Sequence, residues 1–211
     1  MIKYPKISNL YARDMEGTKK LIEGEYKEPV FGNIKKWYFT EKVDGMNISV
    51  VWDGHSVKFH GRTERAQIPG QLMERLNELF GGSENEQIFE QLFGEKQVIL
   101  YGEGYGGSIQ KGGKYRDTPD FILFDVYMPE RDIWLVHDSM RTIARALKIN
   151  TVPLMMFDNL EDAVKYVKGK PSSFVAVNGA KMEGVVGVPI YGERDRMGNR
   201  IMVKIKAVDF Q

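Results

Sequence analysis

Lys42 is the residue of this chain best placed to act as a covalent nucleophile. It lies in Glu41-Lys42-Val43-Asp44-Gly45, between a predicted strand over residues 37–41 and a predicted hairpin. A lysine amine attacks an electrophile only when it is neutral, and its usual pKa is about 10.4. Lys204 and Lys206 could lower it, because alternate residues of a strand face the same side. Taken alone, Lys-x-Asp-Gly is more typical of a surface lysine before a turn.

Four further side chains could bind a phosphorylated ligand. Glu103 ends a buried-type strand and precedes glycines, which suits a ribose hydroxyl or a metal ion. Glu183 stands at the start of an apolar strand, where a carboxylate without a binding partner is energetically costly. Arg62 could clamp a phosphate, and Phe124 could stack on a base. Their ordinary alternatives are a surface ion pair, a solvated arginine and a core phenylalanine.

The pattern of apolar residues predicts the elements that position these groups. Alternation around Asp53-Gly54 predicts two strands joined by a tight turn. Apolar residues at helical spacing predict helices over 72–80 and 84–93. They also predict a helix that Asp138 or Ser139 caps and that buries residues from Met140 to Leu147, and a helix over 160–167 that Asn159 caps. A first helix is predicted over 8–24 and a mobile Gly-rich loop over 104–117. Further strands are predicted over 98–101, 121–127, 174–177, 184–188 and 201–205. The irregular order predicts an α+β fold with mostly antiparallel sheets.

Composition excludes several classes of protein. The 211 residues are 42% hydrophobic and 28% charged, as in a globular protein, and include no cysteine, so disulfides and thiolate metal sites are excluded. The N-terminus lacks a signal-peptide pattern and no apolar run could span a membrane, so we expect an intracellular, cytoplasmic protein without a membrane partner. Walker, dinucleotide-binding and hydrolase-elbow motifs are absent.

The net charge of +1 argues mildly against binding of nucleic acid by bulk charge. Basic residues nevertheless gather in two segments, which are also compatible with solvated loops. The segments contain Lys111, Lys114 and Arg116, and Arg194, Arg196, Arg200, Lys204 and Lys206.

The order of these signals resembles the motif series of the covalent nucleotidyltransferases, which include polynucleotide ligases and mRNA capping enzymes. The series covers residues 41–206, from the Lys42 motif through Arg62, Glu103, Phe121–Val126 and Glu183 to Lys204-Ile205-Lys206. Asn47, six positions into Lys42-Val43-Asp44-Gly45-Met46-Asn47, resembles the nick-sealing branch of ATP-dependent RNA ligases. Glu41 and Gly61-Arg62-Thr63 also resemble that branch.

The resemblance implies a mechanism that starts from ATP. Lys42 would attack the α-phosphate and carry AMP, with Mg²⁺ (or Mn²⁺) neutralising the leaving pyrophosphate. AMP would then pass to a 5′-phosphate end, and a 3′-hydroxyl would displace it. The resemblance also implies how the nucleoside is bound: Glu103 would bind the ribose, Phe124 would stack on the adenine, and Glu41 would lie near the base. Arg62 would hold ribose or phosphate, and Asn47 would contact the AMP phosphate or the nick. Lys204 and Lys206 would bind the α-phosphate, and Glu183 would bind the metal ion.

The resemblance also implies the fold and the partners. Residues 1–211 would form a single nucleotidyltransferase (adenylation) domain, with two mostly antiparallel sheets and flanking helices around a nucleotide cleft. Larger relatives add a C-terminal domain, whereas only five residues follow Lys206 here, so no OB-fold or helical appendage is expected. The expected partner is nucleic acid with 5′-phosphate and 3′-hydroxyl ends, RNA in the first instance. Self-adenylylation is expected to survive alone, while sealing is expected to be weaker or to need a further domain or protein.

Other functions remain open at this stage. Asp44 stands where the nick-sealing branch often has histidine and is more similar to the DNA ligase pattern, which keeps an ATP-dependent DNA ligase core as the nearest alternative. A capping guanylyltransferase would label with GTP. A NAD-dependent DNA ligase is disfavoured, since only 41 residues precede Lys42. A non-catalytic nick- or end-binding module would bind nucleic acid without taking up AMP.

Overall fold

The computed structural model describes residues 2–63, 65–110 and 115–210. Lys111 and Lys114 of the predicted mobile loop lie outside the described residues. The chain divides into two compact units, one of Met1–Tyr4 with Asp44–Val152 and one of Pro5–Val43 with Pro153–Gln211. Among the described residues, no helix has the length and apolar character that crossing a membrane requires.

The helices and strands alternate irregularly along the chain. In chain order they are β1 (Ser8–Asn9), β2 (Tyr11–Arg13), β3 (Leu21–Tyr26), α1 (Val30–Asn33), β4 (Trp37–Lys42), β5 (Met46–Trp52), β6 (Val57–Gly61), α2 (Gly70–Phe80), α3 (Ser83–Phe93), β7 (Val98–Tyr105), β8 (Asp120–Met128), β9 (Ile133–Trp134), α4 (His137–Ala146), β10 (Asn150–Thr151), β11 (Leu154–Met155), α5 (Leu160–Lys168), β12 (Gly184–Pro189) and β13 (Val203–Lys206).

The first unit is built on a sheet of order β10-β8-β7-β5-β6, with β9 paired to β8. All of its pairings are antiparallel except that of β10 with β8. Its apolar core combines side chains of β5, β7 and β8 with those of α2, α3 and α4. The predicted hairpin is confirmed as β5 and β6, with Gly54 at φ +98° in the turn, a conformation that favours glycine.

The second unit is built on a sheet of order β1-β13-β12-β4-β11, in which only β1 and β13 run parallel. Its core packs α5 against apolar residues of β4, β12 and β13. A separate ribbon pairs β2 with β3. Together the two units confirm the predicted α+β class with mostly antiparallel sheets.

The predicted helix over 8–24 is wrong, because this segment forms β1, β2 and the start of β3. Ser8 and Asn9 pair with Val203 and Lys204, far along the chain, so a long-range ladder overrides the local pattern. The Asp14 carboxylate accepts hydrogen bonds from the amides of residues 17 and 18, which turns the chain between β2 and β3.

The later predicted helices are confirmed, whereas one predicted strand is not. Helices α2, α3 and α5 are confirmed, and the Asn159 side chain caps α5 by accepting from the Asp162 amide at 2.8 Å. Helix α4 begins at His137 without a side-chain cap, so the predicted caps Asp138 and Ser139 lie inside it. No strand forms over 174–177, where the chain turns instead. The predicted loop 104–117 is anchored where it is described, since Ile109 and Tyr115 are buried.

Replacing Asn159 tests the one helix cap that the sequence predicts correctly. Asn159→Ala removes the acceptor for the Asp162 amide. We expect a loss of about 1 kcal/mol in the free energy of unfolding, measured by urea titration. Asn159→Asp keeps a side-chain oxygen as the acceptor and serves as the matched control. An alanine variant as stable as the control would contradict a stabilising cap.

Candidate active site

Strand register in the second unit brings the predicted lysines onto one face of its sheet. Gly184 pairs with Lys42 on one side and with Lys206 on the other. Two residues along, Val186 pairs with Lys204. Because side chains of a strand alternate between faces, Lys42, Lys204 and Lys206 share a face. Lys204 and Lys206 lie on one face as their spacing predicts, and the roles of the three lysines at a phosphate stay predictions.

Gly184 keeps the space between Lys42 and Lys206 free of any side chain. A Cβ at this position would lie 2.1 Å from the Ile205 carbonyl oxygen and 2.9 Å from the Lys206 Cα. Both are backbone atoms, so an alanine could be accommodated only by moving β13. The glycine therefore fixes how closely the strand that carries Lys206 approaches the strand that carries Lys42.

The carboxylate of Glu183, the residue before β12, balances part of this positive charge. Lys42 Nζ donates a hydrogen bond to Glu183 Oε2 at 2.6 Å. The two side chains remain 25% and 22% exposed, so a ligand can reach both. The contact is a charge-assisted hydrogen bond, which holds the Glu183 carboxylate beside the Lys42 amine.

Lys204 is the lysine whose pKa responds most clearly to the cluster. Burial lowers the pKa of Lys204, and the charges of Lys206 and Lys42 lower it further. Asp209 and Glu183 oppose the shift but do not cancel it. This part of the face thus carries crowded, partly dehydrated positive charge, which an anionic group would stabilise.

Glu41 faces away from these lysines. It pairs with Val185 on the face that forms the unit's apolar core, and it is only 2% exposed. Its carboxylate accepts from the Ser173 hydroxyl and, at 2.9 Å, from the Phe174 amide. Burial raises the pKa of Glu41, against the opposing effect of these two hydrogen bonds. The structure thus places the Glu41 carboxylate on the core face, and its place near the base of a nucleotide stays a prediction.

The remaining predicted site residues belong to the first unit. Asn47 and Glu103 are direct partners across β5 and β7, so their side chains share a face. Arg62 is exposed and immediately follows β6. Phe124 is half-buried in β8, where the register with β7 shifts, and its ring makes an edge contact with that of Tyr4, with centroids 5.0 Å apart. Their roles at a nucleotide stay predictions.

The backbone after Lys42 is held by contacts that the sequence did not reveal. A Cβ on Gly45 would lie 2.2 Å from the Gly104 carbonyl oxygen, so this glycine admits the backbone of β7 rather than a ligand. The Asp44 amide donates to the Tyr115 hydroxyl at 3.0 Å. Nothing in the local sequence around Tyr115 or Ser173 indicates these contacts, because their partners lie far away along the chain.

A metal ion would find few protein ligands here. Among the residues that the structure describes, no three His, Cys, Asp or Glu side chains are grouped to hold one. On the lysine face of the second unit, Glu183 is the carboxylate that lies beside Lys42. A hard divalent cation such as Mg²⁺ suits this arrangement, since it commonly takes one or two carboxylates and fills its remaining positions with phosphate oxygens and water.

Comparison with family models identifies the chain. The family described as RNA ligase matches residues 35–206, which include Lys42, Glu183, Lys204 and Lys206. The chain belongs to the RNA ligase family. The comparison with curated proteins found no match.

Solved structures of Naegleria gruberi RNA ligase resemble this RNA ligase family member in fold. A variant with AMP and Mn matches with a TM-score of 0.66 at 18% identity, over 86% of this chain and 53% of that one. A variant with ATP and Mn matches with a TM-score of 0.64 at 18% identity, over 98% and 62%. The first such match covers 52% of the other chain, so this chain spans about half the length of these relatives. The predicted nucleotidyltransferase-type fold is confirmed.

Removing the Lys204 amine should stabilise the protein. The pKa of Lys204 is lower in the folded chain than its ordinary value of 10.5, so its charge opposes folding. We expect Lys204→Met to raise the free energy of unfolding by about 0.5 kcal/mol at pH 7. The gain should shrink as the pH approaches 10.5, where the unfolded lysine also loses its charge. Denaturant titration over pH 7–10 measures both effects.

Lys20→Met provides the control, since Lys20 is an exposed lysine of the same unit. It should leave the stability nearly unchanged across this pH range. A destabilised Lys204→Met protein at pH 7, with no dependence on pH, would mean that the amine makes a net favourable contact instead.

Proposed function

We propose that this protein is an ATP-dependent RNA ligase that works through a covalent lysyl-AMP on Lys42. The proposal is carried by one observation: Lys42, Lys204 and Lys206 share a face, with Glu183 against Lys42, inside the region matched by the RNA ligase family. A nucleophilic amine, two cations and one carboxylate are groups that suit the transfer of AMP from ATP to a lysine.

In the first step the Lys42 amine attacks the α-phosphorus of ATP. An Nζ–P bond forms, the bond from that phosphorus to the bridging oxygen breaks, and pyrophosphate leaves. The attacking amine is neutral, so the proton of the Lys42 ammonium group passes to solvent before the Nζ–P bond forms.

Lys204 and Lys206 would stabilise the negative charge on the α-phosphate as the bond forms. They lie on the same face of the sheet as Lys42, where cations would stabilise charge that develops on a phosphate. Glu183 would hold Mg²⁺ or Mn²⁺, in keeping with the Mn in the Naegleria gruberi structures. Such an ion would neutralise charge on the phosphates.

Four residues are proposed to bind the nucleoside and its phosphate. Asn47 and Glu103, paired across β5 and β7, would contact the AMP phosphate and the ribose respectively. Phe124 would stack on the adenine, and Arg62 would hold ribose or phosphate. The exposed position of Arg62 and the half-buried ring of Phe124 are compatible with these roles.

The later steps transfer AMP to RNA and then release it. An oxygen of a 5′-phosphate end attacks the Lys42-bound phosphorus, the Nζ–P bond breaks, and an RNA with a 5′–5′ pyrophosphate bond to AMP forms. A 3′-hydroxyl then attacks the RNA phosphorus, and AMP leaves as the phosphodiester forms. We propose that residues 1–211 form the adenylation domain that carries out these steps. The steps would serve nick sealing and RNA repair. A further domain or protein would help to recruit the RNA.

Labelling with α-³²P-ATP and Mg²⁺, without RNA, tests the first step. We expect acid-labile label on the denatured wild-type protein and at least about a 100-fold loss in Lys42→Ala and Lys42→Arg, since neither side chain offers a neutral amine. Lys20→Ala is the matched control and should label normally. Absence of wild-type label from ATP, GTP and NAD would contradict the mechanism and favour a non-catalytic nick- or end-binding module.

Matched nicked duplexes distinguish the polymers. With an RNA 3′-hydroxyl strand at the nick we expect faster sealing than with its DNA counterpart. Faster sealing of the all-DNA nick by a protein that labels normally would show instead that Asp44 marks a DNA ligase core.

A further inference from the structure

The segment between β12 and β13 forms an ordered hairpin that the mechanism above does not use. Arg194 and Arg200 pair as an antiparallel bridge, and the Asp195 amide donates to the Asn199 carbonyl at 2.9 Å. The Asp195 carboxylate closes the turn by accepting from the Met197 and Asn199 amides, each at 2.8 Å. We call residues 191–200 the basic hairpin. Its turn is held by specific hydrogen bonds.

Basic side chains from two parts of the chain meet at this hairpin. Arg194 and Arg196 are exposed, and Arg200 is the bridge partner of Arg194. At its base, the Ile190 amide donates to the Lys36 carbonyl at 3.0 Å. Exposed Lys35 and Lys36 therefore lie beside it. We call Lys35, Lys36, Arg194, Arg196 and Arg200 the basic surface.

The two acids of the hairpin, Glu193 and Asp195, are half-buried, whereas Arg194 and Arg196 are exposed. Asp195 is occupied within the turn, where hydrogen bonds from the Asn199 side chain and amide and from the Met197 amide lower its pKa. The Glu193 Oε2 atom is buried instead of facing solvent. Arg194 Nη1 donates a hydrogen bond to the Gly198 carbonyl at 3.0 Å, which holds this exposed guanidinium against the turn.

The hairpin also exposes side chains that suit a nucleic acid. Tyr191 is 72% exposed, and aromatic rings in such positions stack on bases. Arginine forks match the geometry of phosphate oxygens. A polyphosphate chain with bases thus fits the combination of arginine, lysine and tyrosine.

The basic surface is well separated from Lys42 along the same sheet. Lys42 pairs with Gly184 at the start of β12, whereas the hairpin leaves from Pro189, which pairs with Trp37. Five residues of strand separate these points, a span of about 17 Å. The surface therefore lies too far from Lys42 to contact the reacting phosphate.

We propose that the basic surface binds the phosphodiester backbone of RNA at a distance of several nucleotides from the end being joined. This inference rests on the proposed function, because that function makes RNA the polyanion. It gives a protein of net charge +1 a local site for RNA. The surface contributes to the binding of RNA and leaves the adenylylation of Lys42 unaffected.

Neutralising the hairpin arginines provides the test. In Arg194→Gln/Arg196→Gln we expect adenylylation without RNA to stay within about twofold of wild type. The affinity for a long nicked RNA duplex, measured by anisotropy at 50–200 mM salt, should fall about 5- to 10-fold. The slope of log K against log salt should decrease by about 0.7 to 0.9 per lost contact. Duplexes whose arms are too short to span about 17 Å from the nick should bind both proteins equally.

Two control variants make the result decisive. Lys19→Gln/Lys20→Gln removes the same charge from an exposed turn of the same unit and should leave RNA affinity nearly unchanged. Arg194→Lys/Arg196→Lys retains charge and should recover most of the affinity, which a loss caused by misfolding would not.

Three outcomes would overturn the proposal. They are an equal loss in the Lys19/Lys20 control, an equal loss with short duplexes, and unchanged RNA affinity accompanied by weakened binding of an acidic protein partner. Failure of the proposed function gives a different result, since the wild-type protein would then take up no label from ATP. A local, length-dependent loss of RNA affinity would in that case still support the surface.

Discussion

The grouping of Lys42, Lys204 and Lys206 on one face is the constraint on which the site of the second unit depends. The three side chains share a face because of the register of β4, β12 and β13. Burial, together with the charges of Lys206 and Lys42, lowers the pKa of Lys204. Such crowding persists only where the backbone is held by other contacts. Here the opposite face of the same strands supplies them, since it is packed into an apolar core with α5.

The two faces of this sheet thus perform different tasks through the same strands. Lys42 and Glu41 are adjacent in sequence, yet one faces Glu183 and the other is buried against Ser173 and the Phe174 amide. The buried contacts of Glu41 tie β4 to the loop at 173–174. The position of Lys42 therefore depends on packing on the opposite face of its strand.

The sequence predicted those features that depend on neighbouring residues, such as turns and the alternation of side chains along a strand. Alternation around Asp53-Gly54 predicted the β5–β6 hairpin, and the two-residue period of a strand predicted that Lys204 and Lys206 share a face. Long-range pairing was not accessible in this way. The pairing of Ser8 with Val203 made a strand where a helix was expected, and nothing near Glu41 in the sequence indicates Ser173. The order of the motifs identified the family, whereas the register that places Gly184 between two lysines became known only from the structure.

The contact between Lys42 and Glu183 has a consequence for how the protein would rest between reactions. On the proposed mechanism, loading Lys42 with AMP replaces an ammonium by a phosphoramidate and changes the local charge by about two units. A cluster of mutually repelling cations becomes a pair of cations around an anion, and Glu183 loses its partner. On that mechanism the lysyl-AMP form has less electrostatic repulsion at this face than the unmodified enzyme. It is therefore the form in which the protein would persist until an RNA end binds.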